Sequence, residues 1–420
     1  MKKKYLKTIV VLALLLCFAI SISAASAKDI YVSKGGSIKN AVSKAKSGDT
    51  IYIKAGTYSG TKNRDIIIDN NKNIKISAIS NNVKKRNTVV ISLGKANRAF
   101  TISRGTVTLS GIKITNGKKD LGGAIAITKG KLTIRYCSFT NNVATKYGGA
   151  IFAKQSKLNV SKSTFTNNKA KISGGGISHF NNKLIVDNST FTSNRAGNGK
   201  VANTNFGGGI HTTDNSNANI KGSYFTKNVA YGGAIANFGK MNLTTSVFEK
   251  NRSPKNGGAI AIEENAKLEK CNFTGNVAAQ RGGAIHNAGK TTIKSSRFTY
   301  NKALRGFAGG FDTHAPLKVY NSVISHNTAS HKSGGLGGAF TLYRFSGSKE
   351  KYHYASDVLI QGCTITYNSA GKTGTWGESV FITNGDMPYA KTSIKLRLVG
   401  NTWKDENGNI VKNTNWLCNN

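Results

Sequence analysis

Short segments in which apolar and polar residues alternate recur along the chain. Leu132 and Ile134 are separated by one residue, as are Leu158 and Val160, and this spacing of two places both side chains on one side of a strand. Each pair precedes a larger apolar residue by seven and five positions. The pattern therefore predicts short strands with one buried side. Similar pairs are Leu184 and Val186, Leu317 and Val319, and Val358 and Ile360.

The larger apolar residue is usually phenylalanine, and it returns mostly every 23 to 26 residues. An asparagine follows it three residues later, and an alanine follows the asparagine by two, with Ser253 as the exception. The phenylalanine column comprises Phe139, Phe165, Phe191, Phe225, Phe248, Phe273 and Phe298, with Ile114 before it and Ile324, Ile365 and Trp403 after it. The asparagine column comprises Asn142, Asn168, Asn194, Asn228, Asn251, Asn276, Asn301, Asn327 and Asn368.

A second motif, Gly-Gly-Ala-Ile, alternates in phase with the first. A period near 25 residues with short strands and glycine-marked turns predicts one coil of three short strands, because two-helix repeats are longer and show a spacing of 3.6. We therefore predict an all-β fold, a parallel β-helix or solenoid of about 11 to 13 coils. The motif begins at Gly122, Gly148, Gly232, Gly257 and Gly282, with looser copies at Gly174, Gly207, Ala308 and Gly337.

Stacked coils place equivalent residues about 4.8 Å apart. The phenylalanine rings are therefore expected to stack inside the helix, and the asparagine amides to form a hydrogen-bonded ladder. Cys137, Cys271 and Cys363 take a position that holds serine in other coils, several coils apart, so we expect no disulfide among them. The state of Cys418 stays open.

The chain divides into four predicted parts. Residues 1–27 have a basic start, an apolar run and the small residues Ala25-Ser26-Ala27, which is typical of a signal peptide cleaved after Ala27. Residues 28–105 would form an N-terminal cap and the first coils, 106–385 the regular repeats, and 386–420 a C-terminal coil and cap. After cleavage we expect no transmembrane segment and a secreted or cell-surface location.

The paired F-x-x-N and G-G-A-I motifs resemble the polymorphic outer-membrane protein repeat over about residues 110–385. That repeat is found in surface autotransporters and in adhesin-like proteins of methanogenic archaea. The stretch from Ser37 to Val42, followed by Gly48 to Ile53 and Gly56-Thr57-Tyr58, resembles the start of pectate-lyase-like β-helices. The resemblance implies a right-handed parallel β-helix, an N-terminal capping helix and an adhesin-like role.

The charge is strongly positive, with 60 Lys and Arg against 18 Asp and Glu and a formal net charge of +42. Such a field favours anionic partners, which include wall phosphates, uronic acids, sulfated glycans and nucleic acid. Because no nucleic-acid-binding motif occurs, we expect no specific nucleic acid partner. The alternative is that export and a wall environment set the charge and no specific partner exists. The oligomeric state stays open.

Few acidic residues are available for glycoside chemistry, and the sequence has no Asp-Asp pair or Gly-His-Gly motif of a hydrolase. We assign no catalytic residue, no metal ligand and no cofactor, with calcium expected only if the chain is a lyase. One cluster stays open. His286 and Asp312 take the first outward place in neighbouring coils, and Glu263 and His314 take the third.

These four side chains are expected on one exterior face, in steps of about 5 Å. They form either a catalytic or metal cluster or a group of ordinary polar residues on a solvated strand. His179 and His211 are expected at similar sites further back.

Insertions provide a separate candidate, because repeats accept extra length only in loops. The extra segments fall at 197–206, 329–336, about 343–356 and about 384–392. Rings and basic groups there suit a glycan, or they cap the open end of the helix. The ligand-binding candidates are Tyr343, Arg344, Tyr352, His353, Tyr354 and Trp376.

Three functions follow from these features. The first is a non-catalytic, adhesin-like protein that binds glycans or anionic surface polymers. The alternative is a polysaccharide lyase acting on acidic polysaccharide, and the third is a structural wall component.

Overall fold

Each coil contributes one strand to each of three long parallel sheets, which we call sheets A, B and C. The computed structural model describes residues 27–79, 88–197, 205–330, 337–343, 357–370, 380–383 and 395–404. Within these residues the three sheets contain 14, 13 and 12 strands. The predicted parallel β-helix is confirmed.

The strands are short and come in the order A, B, C along the chain. Sheet A comprises Asp29–Val32, Thr50–Ile53, Asn73–Ala78, Thr106–Ser110, Lys131–Arg135, Lys157–Ser161, Asn182–Asp187, Ser216–Lys221, Lys240–Thr244, Ala266–Glu269, Thr291–Lys294, Leu317–Tyr320, Asp357–Gln361 and Lys395–Val399. Sheet B comprises Gly56–Tyr58, Val89–Ser92, Ile112–Thr115, Ser138–Thr140, Thr164–Thr166, Thr190–Thr192, Tyr224–Thr226, Val247–Glu249, Asn272–Thr274, Arg297–Thr299, Val323–Ser325, Thr364–Thr366 and Thr402–Lys404.

Sheet C follows sheet B in each coil and is followed by the sheet A strand of the next. Sheet C comprises Ile66–Ile68, Phe100–Ser103, Ile125–Thr128, Ile151–Lys154, Ile177–Phe180, Ile210–Thr212, Ile235–Asn237, Ile260–Ile262, Ile285–Asn287, Phe311–Thr313, Phe340–Tyr343 and Val380–Thr383. Between sheets B and C lie short strands, here called the D strands: Lys118–Leu121, Val143–Tyr147, Lys169–Ala170, Arg195–Ala196, Arg252–Ser253, Val277–Ala278, Lys302–Ala303 and Thr328–Ala329.

One short helix lies at the N-terminal end of the solenoid. The α-helix Ile38–Lys44 begins at Ser37, whose side chain accepts a hydrogen bond from the Asn40 backbone N–H at 3.1 Å. Its apolar face buries Ile38, Ala41 and Val42 against the first coils. A 3-10 turn, Thr61–Asn63, supports it, since the Asn63 side chain accepts from the backbone N–H of Ile38 at 2.9 Å. The helix therefore covers apolar core that an open end would leave in water.

Phenylalanine rings form one continuous stack inside the solenoid. Neighbouring ring centroids from Phe139 to Phe298 lie 4.6 to 4.9 Å apart, and the planes differ by at most 12°. The register explains the stack, because each phenylalanine pairs with the next one in sheet B. Every ring is fully buried.

The asparagine column forms a ladder that satisfies each of its buried amides. Nδ2 of each asparagine donates to Oδ1 of the next at 2.9 to 3.0 Å, from Asn142 to Asn368. In each pair, the backbone N–H of the asparagine that donates through Nδ2 also donates to the same Oδ1 atom. Nδ2 donates a second bond to the carbonyl of the phenylalanine or isoleucine one coil back, as from Asn168 to Phe139 at 2.9 Å. The ladder thus ties each turn to both neighbours.

Serine and cysteine share a second ladder. The Ser163 hydroxyl donates to the Ser161 carbonyl at 2.8 Å and accepts from the Cys137 backbone N–H at 3.1 Å. The Cys271 thiol lies in the same position, 3.3 Å from the Glu269 carbonyl. Cys137, Cys271 and Cys363 are buried free thiols, so cysteine replaces serine without a change in backbone register.

Glycine is required where sheet C begins. Gly148 has φ of +67°, a backbone conformation that L side chains rarely adopt. A Cβ on Gly149 would collide with the carbonyl oxygen of Gly175 in the next coil. The glycine pairs therefore let successive coils pack closely at this turn.

The ladder predicts a large loss of stability for Asn228→Ala. The change removes the acceptor of two buried donors on Asn194 and the donor to Asn251 and to Phe191. Unsatisfied buried groups cost about 1 to 3 kcal/mol each, so the free energy of unfolding should fall by about 3 kcal/mol or more. Denaturant unfolding measures it. The control, Asn242→Ala, removes an exposed amide contact with Asn219 and should cost less than about 0.5 kcal/mol. Equal losses in the two variants would contradict a structural role for the ladder.

Candidate functional site

The outer side of sheet C is covered by the loops that join the D strands to the glycine pairs. The outward second residue of its strands is buried at Phe152, Ser178, His211, His286 and Asp312. The glycine turn lies directly over these outward side chains. For example, a Cβ on Gly282, the first glycine of its pair, would collide with Asp312 Oδ1. Strand alternation therefore sets which side these residues occupy, and the loops set their burial.

His286, Asp312 and His314 form a compact cluster on this side. The strands pair His286 directly with Asp312, and His286 Nδ1 lies 2.8 Å from Asp312 Oδ2. The rings of His286 and His314 have centroids 5.3 Å apart. One ligand atom from each of the three residues lies within 4.8 Å of the others. His286 and Asp312, at the first outward place of their strands, thus meet His314, at the third outward place.

Glu263 completes the group on the opposite side of His286. Its carboxylate accepts a hydrogen bond from the Tyr231 hydroxyl at 2.8 Å, and the Tyr231 ring meets His286 edge-on at 6.2 Å. The structure therefore brings all four predicted residues together. The expected solvated strand is wrong for His286 and Asp312, which are 4% and 0% exposed, because the covering loop excludes water. Glu263 and His314 are half-buried.

The two histidines of the cluster have pKa values shifted in opposite directions. Burial disfavours protonation of His286, but the charge and hydrogen bond of Asp312 and the charge of Glu263 outweigh it, so its pKa lies above the ordinary value. Burial lowers the pKa of His314 to about 4, and repulsion from His286 adds to this. Asp312 thus favours the protonated form of His286, whereas burial favours the neutral form of His314.

An open cleft of about 430 Å³ lies near the cluster, and the two share the influence of the Arg281 charge. Its lining is Gln280, Arg281, Arg305, Gly306 and Phe307. The Arg281 guanidinium lies 5.3 Å from the centre of the Phe307 ring, and its charge opposes protonation of both His286 and His314. The cleft therefore presents two guanidinium groups to an anionic ligand next to side chains that can bind a metal ion or move a proton.

His179 and His211 lie elsewhere, and the expectation of similar sites is wrong for His179. Its ring points into the solenoid, with Nε2 3.1 Å from the Ser156 carbonyl and Nδ1 3.2 Å from the Ser216 hydroxyl. It is the third residue of its strand, and alternation turns that position inward. Burial lowers its pKa to about 4.

His211 does lie on the outer side, in an apolar setting. Its ring centroid is 5.7 Å from those of Phe180, Phe206 and Phe238. Burial lowers its pKa to about 3. Sequence reasoning missed this row of rings, although an aromatic residue directly before a glycine pair is a recognisable signal. Such residues are Tyr147, Phe206 and Tyr231, and Phe307 takes the equivalent place before Ala308 and Gly309.

A column of cations follows the outer positions of the D strands. Strand pairing and isolated β-bridges align these residues along the solenoid axis, and valines occupy the same column in some of the coils between them. Within the described part of the chain none of them is ion-paired with a carboxylate. We call this column the basic edge; its members are Lys118, Lys169, Arg195, Arg252 and Lys302.

The insertion candidates cannot be placed. Arg344, Tyr352, His353, Tyr354 and Trp376 lie outside the described residues, as does the side chain of Tyr343, whose backbone ends the strand Phe340–Tyr343. Among the described residues, no helix combines the length and the apolar character that a membrane crossing requires.

Acidic conditions should destabilise the fold partly through His211. The unfolded imidazole titrates near 6.5, whereas the folded one titrates at about 3. Between these pH values the unfolded chain binds a proton at His211 that the folded chain does not. The free energy of unfolding therefore keeps its neutral-pH value above pH 6.5 and falls as the pH drops below 6.5. His211→Phe, which suits the surrounding rings, should recover about 2 to 3 kcal/mol at about pH 4.5.

Thermal unfolding followed from pH 8 to about pH 4.5 tests this effect. His326→Phe is the control, because His326 is exposed between Tyr300 and Tyr367. If both variants follow the wild-type pH profile, burial of His211 does not contribute to the acid sensitivity.

Comparison with known proteins agrees with this architecture. A family model described as a right handed beta helix region matches residues 208–414. The Chlamydia polymorphic membrane protein repeat matches residues 136–154 and 162–179. No curated protein matches the chain by sequence.

Solved structures share the fold at low sequence identity. A PL6 family polysaccharide lyase from Pseudopedobacter saltans has a TM-score of 0.54 and 13% identity, covering 90% of this chain and 94% of its own. A mannuronic acid specific polysaccharide family 6 lyase from human gut microbiota has a TM-score of 0.52 and 12% identity, covering 90% of this chain and 87% of its own. Together with the stacked sheets and the paired motifs, these matches show that the chain is a right-handed parallel β-helix protein with repeats of the polymorphic membrane protein type.

Proposed function

We propose that the protein is a secreted or cell-surface, adhesin-like protein that binds an acidic glycan or a similar anionic polymer along the basic edge without cleaving it. The observation that carries this proposal is the register of the basic edge. Its cations recur at every coil or every second coil and have no carboxylate partner within the described residues.

The spacing of the basic edge suits a linear polyanion. Arg195, Arg252 and Lys302 stand two coils apart, with Val229 and Val277 between them, which corresponds to about 10 Å for each step. A polymer lying along the solenoid axis meets several cations at once. Each contact by itself is weak and screened by salt, but linked contacts add through their high effective concentration.

Aromatic residues follow positions of the basic edge within the same loops. Val229 lies in the column of the basic edge, between Arg195 and Arg252, and Tyr231 follows it by two residues. Phe307 follows Lys302, a member of the basic edge, by five residues. Tyr231 and Phe307 are half-buried, so part of each ring is accessible. Aromatic rings offer an apolar, polarised face and cations offer charge, and this combination favours an acidic sugar over a simple phosphate polymer.

A rigid scaffold adds to affinity. The D strands pair with neighbours on both sides, and the ladder of buried asparagines fixes the turn directly before them. Little conformational entropy is lost when a ligand binds to such a surface. The solved neighbour from gut microbiota is a lyase specific for mannuronic acid, so polymannuronate is a suitable first probe.

A polysaccharide lyase is the second candidate, and one observation favours it. The His286–Asp312 pair lies within reach of the charge of Arg281, which lines a cleft together with Arg305. Such a site could bind a uronate carboxylate and move a proton. Incubation with polyuronates, with and without calcium, separates the two functions. Steady growth of ultraviolet absorbance from an unsaturated product would favour the enzyme, and saturable retention without turnover would favour binding alone.

Charge reversal on the basic edge should weaken binding. The combined substitutions Lys169→Glu, Arg195→Glu and Arg252→Glu should reduce affinity for polymannuronate about tenfold or more at low salt, and should also lessen the dependence of affinity on salt. Biolayer interferometry on immobilised polymer at several ionic strengths measures both quantities.

The matched control reverses three exposed lysines on sheet A: Lys131→Glu, Lys157→Glu and Lys183→Glu. These residues occupy one outer column of sheet A, so the net charge changes by the same amount. Affinity should fall only about two- to threefold. If both triple variants lose affinity equally, net charge and not the basic edge governs binding.

A further inference from the structure

We propose that His286, Asp312 and His314 form a binding site for a divalent transition metal ion, and that zinc is an ion this donor set accepts. The proposal is independent of the polymer-binding role, since it concerns the outer side of sheet C and a different ligand.

The backbone already holds the three donors in place. His286 and Asp312 are paired residues on adjacent parallel strands, and the His314 backbone N–H continues the pairing by donating to the Asn287 carbonyl at 3.2 Å. Their ligand atoms lie within 4.8 Å of one another. Tetrahedral zinc with bonds of about 2.0 to 2.2 Å requires donors about 3.3 Å apart. The donors would therefore move together by at most about 1.5 Å on binding the ion.

The chemical nature of the donors selects the ion. Two imidazoles and one carboxylate suit zinc and its neighbours in the first transition series, whereas calcium and magnesium prefer shells of oxygen atoms. Three protein ligands leave a fourth position for water or a ligand group. His314 is half-buried, so the site is not sealed from solvent on that side.

The surrounding charge also accommodates a cation. Two carboxylates, from Asp312 and Glu263, act on His286 and offset the guanidinium of Arg281. Glu263 is held by the Tyr231 hydroxyl at 2.8 Å, so its carboxylate has a fixed position beside the cluster. Burial of the carboxylate of Asp312, which is 0% exposed, strengthens its attraction to an ion because little water screens it.

Zinc titration of the protein, purified without a polyhistidine tag, tests the site. Calorimetry should give one zinc ion per chain, and the ion should raise the midpoint of thermal unfolding. Cobalt, used as a spectroscopic substitute, should give visible absorption bands of a four-coordinate site. Calcium and magnesium should not compete. The absence of zinc binding by the wild type, or of any response of thermal unfolding to zinc, would overturn the proposal.

Two variants locate the site. His314→Ala removes a half-buried ligand, and Asp312→Asn keeps the shape and an acceptor for His286 while it removes the charge. Each should weaken zinc affinity at least about tenfold and abolish the cobalt bands. His326→Gln is the control, because it removes an exposed imidazole outside the cluster and should bind zinc as the wild type does.

Folding must be checked separately from metal binding. Circular dichroism and metal-free unfolding should show that at least one of the two ligand variants retains the wild-type fold. Unchanged zinc affinity in a folded variant would show that the bound ion lies elsewhere, and an equal loss in His326→Gln would show non-specific binding by exposed imidazole.

Discussion

Stacking of like residues on successive coils, fixed by hydrogen bonds, is the constraint on which this molecule depends. Each amide between Asn142 and Asn368 is satisfied only when the next coil places its own asparagine 2.9 to 3.0 Å away. A slip of one residue would break this ladder, separate the stacked rings and turn the buried side of the strand outward. These penalties arise together, so the register of one column fixes the others. The outer columns, including the basic edge, therefore inherit their spacing from the core.

Core volume is conserved across a coil and not within a single column. Through the regular repeats the large ring lies in sheet B and sheet C begins with isoleucine. Where a sheet C strand begins with phenylalanine, the next sheet B strand along the chain has isoleucine at its inward position. The ring stack passes between the sheets from Phe298 to Phe311, whose centroids are 5.7 Å apart. Interiors tolerate changes that keep total volume, so the coil keeps its cross-section while the motif changes. The exchanged pairs are Phe100 with Ile114, Phe311 with Ile324, and Phe340 with Ile365.

The sequence predicts the interior of this protein much better than its outer surface. Phenylalanine and asparagine repeat in phase with the coil, so their period alone leads to the fold and to both interior columns. The same phase correctly brings His286, Asp312 and His314 together. It cannot predict that His286 and Asp312 are buried, because burial comes from the loop that crosses them and not from the strand that carries them. His179 shows the converse limit. The repeat predicts an outward position for this residue, but a shift of one position along a strand moves a side chain to the interior.

The loop between the asparagine ladder and the glycine pair is the part of each coil that is least constrained by stacking. It carries the basic edge and the lining of the cleft, and it covers the histidine cluster on sheet C. The loop begins with the cations of the basic edge and ends with a residue that is often aromatic. At the histidine cluster the motif itself departs from the repeat, because Ala308 replaces the first glycine and keeps a φ of +61°. Non-glycine residues pay about 1 kcal/mol or more for this conformation. The register of the neighbouring coils holds Ala308 there, so the scaffold supports a strained turn beside the cleft. The asparagine column keeps one residue type from Asn142 to Asn368, whereas this loop varies in length and sequence, so the loop can change to fit a ligand without loss of the fold.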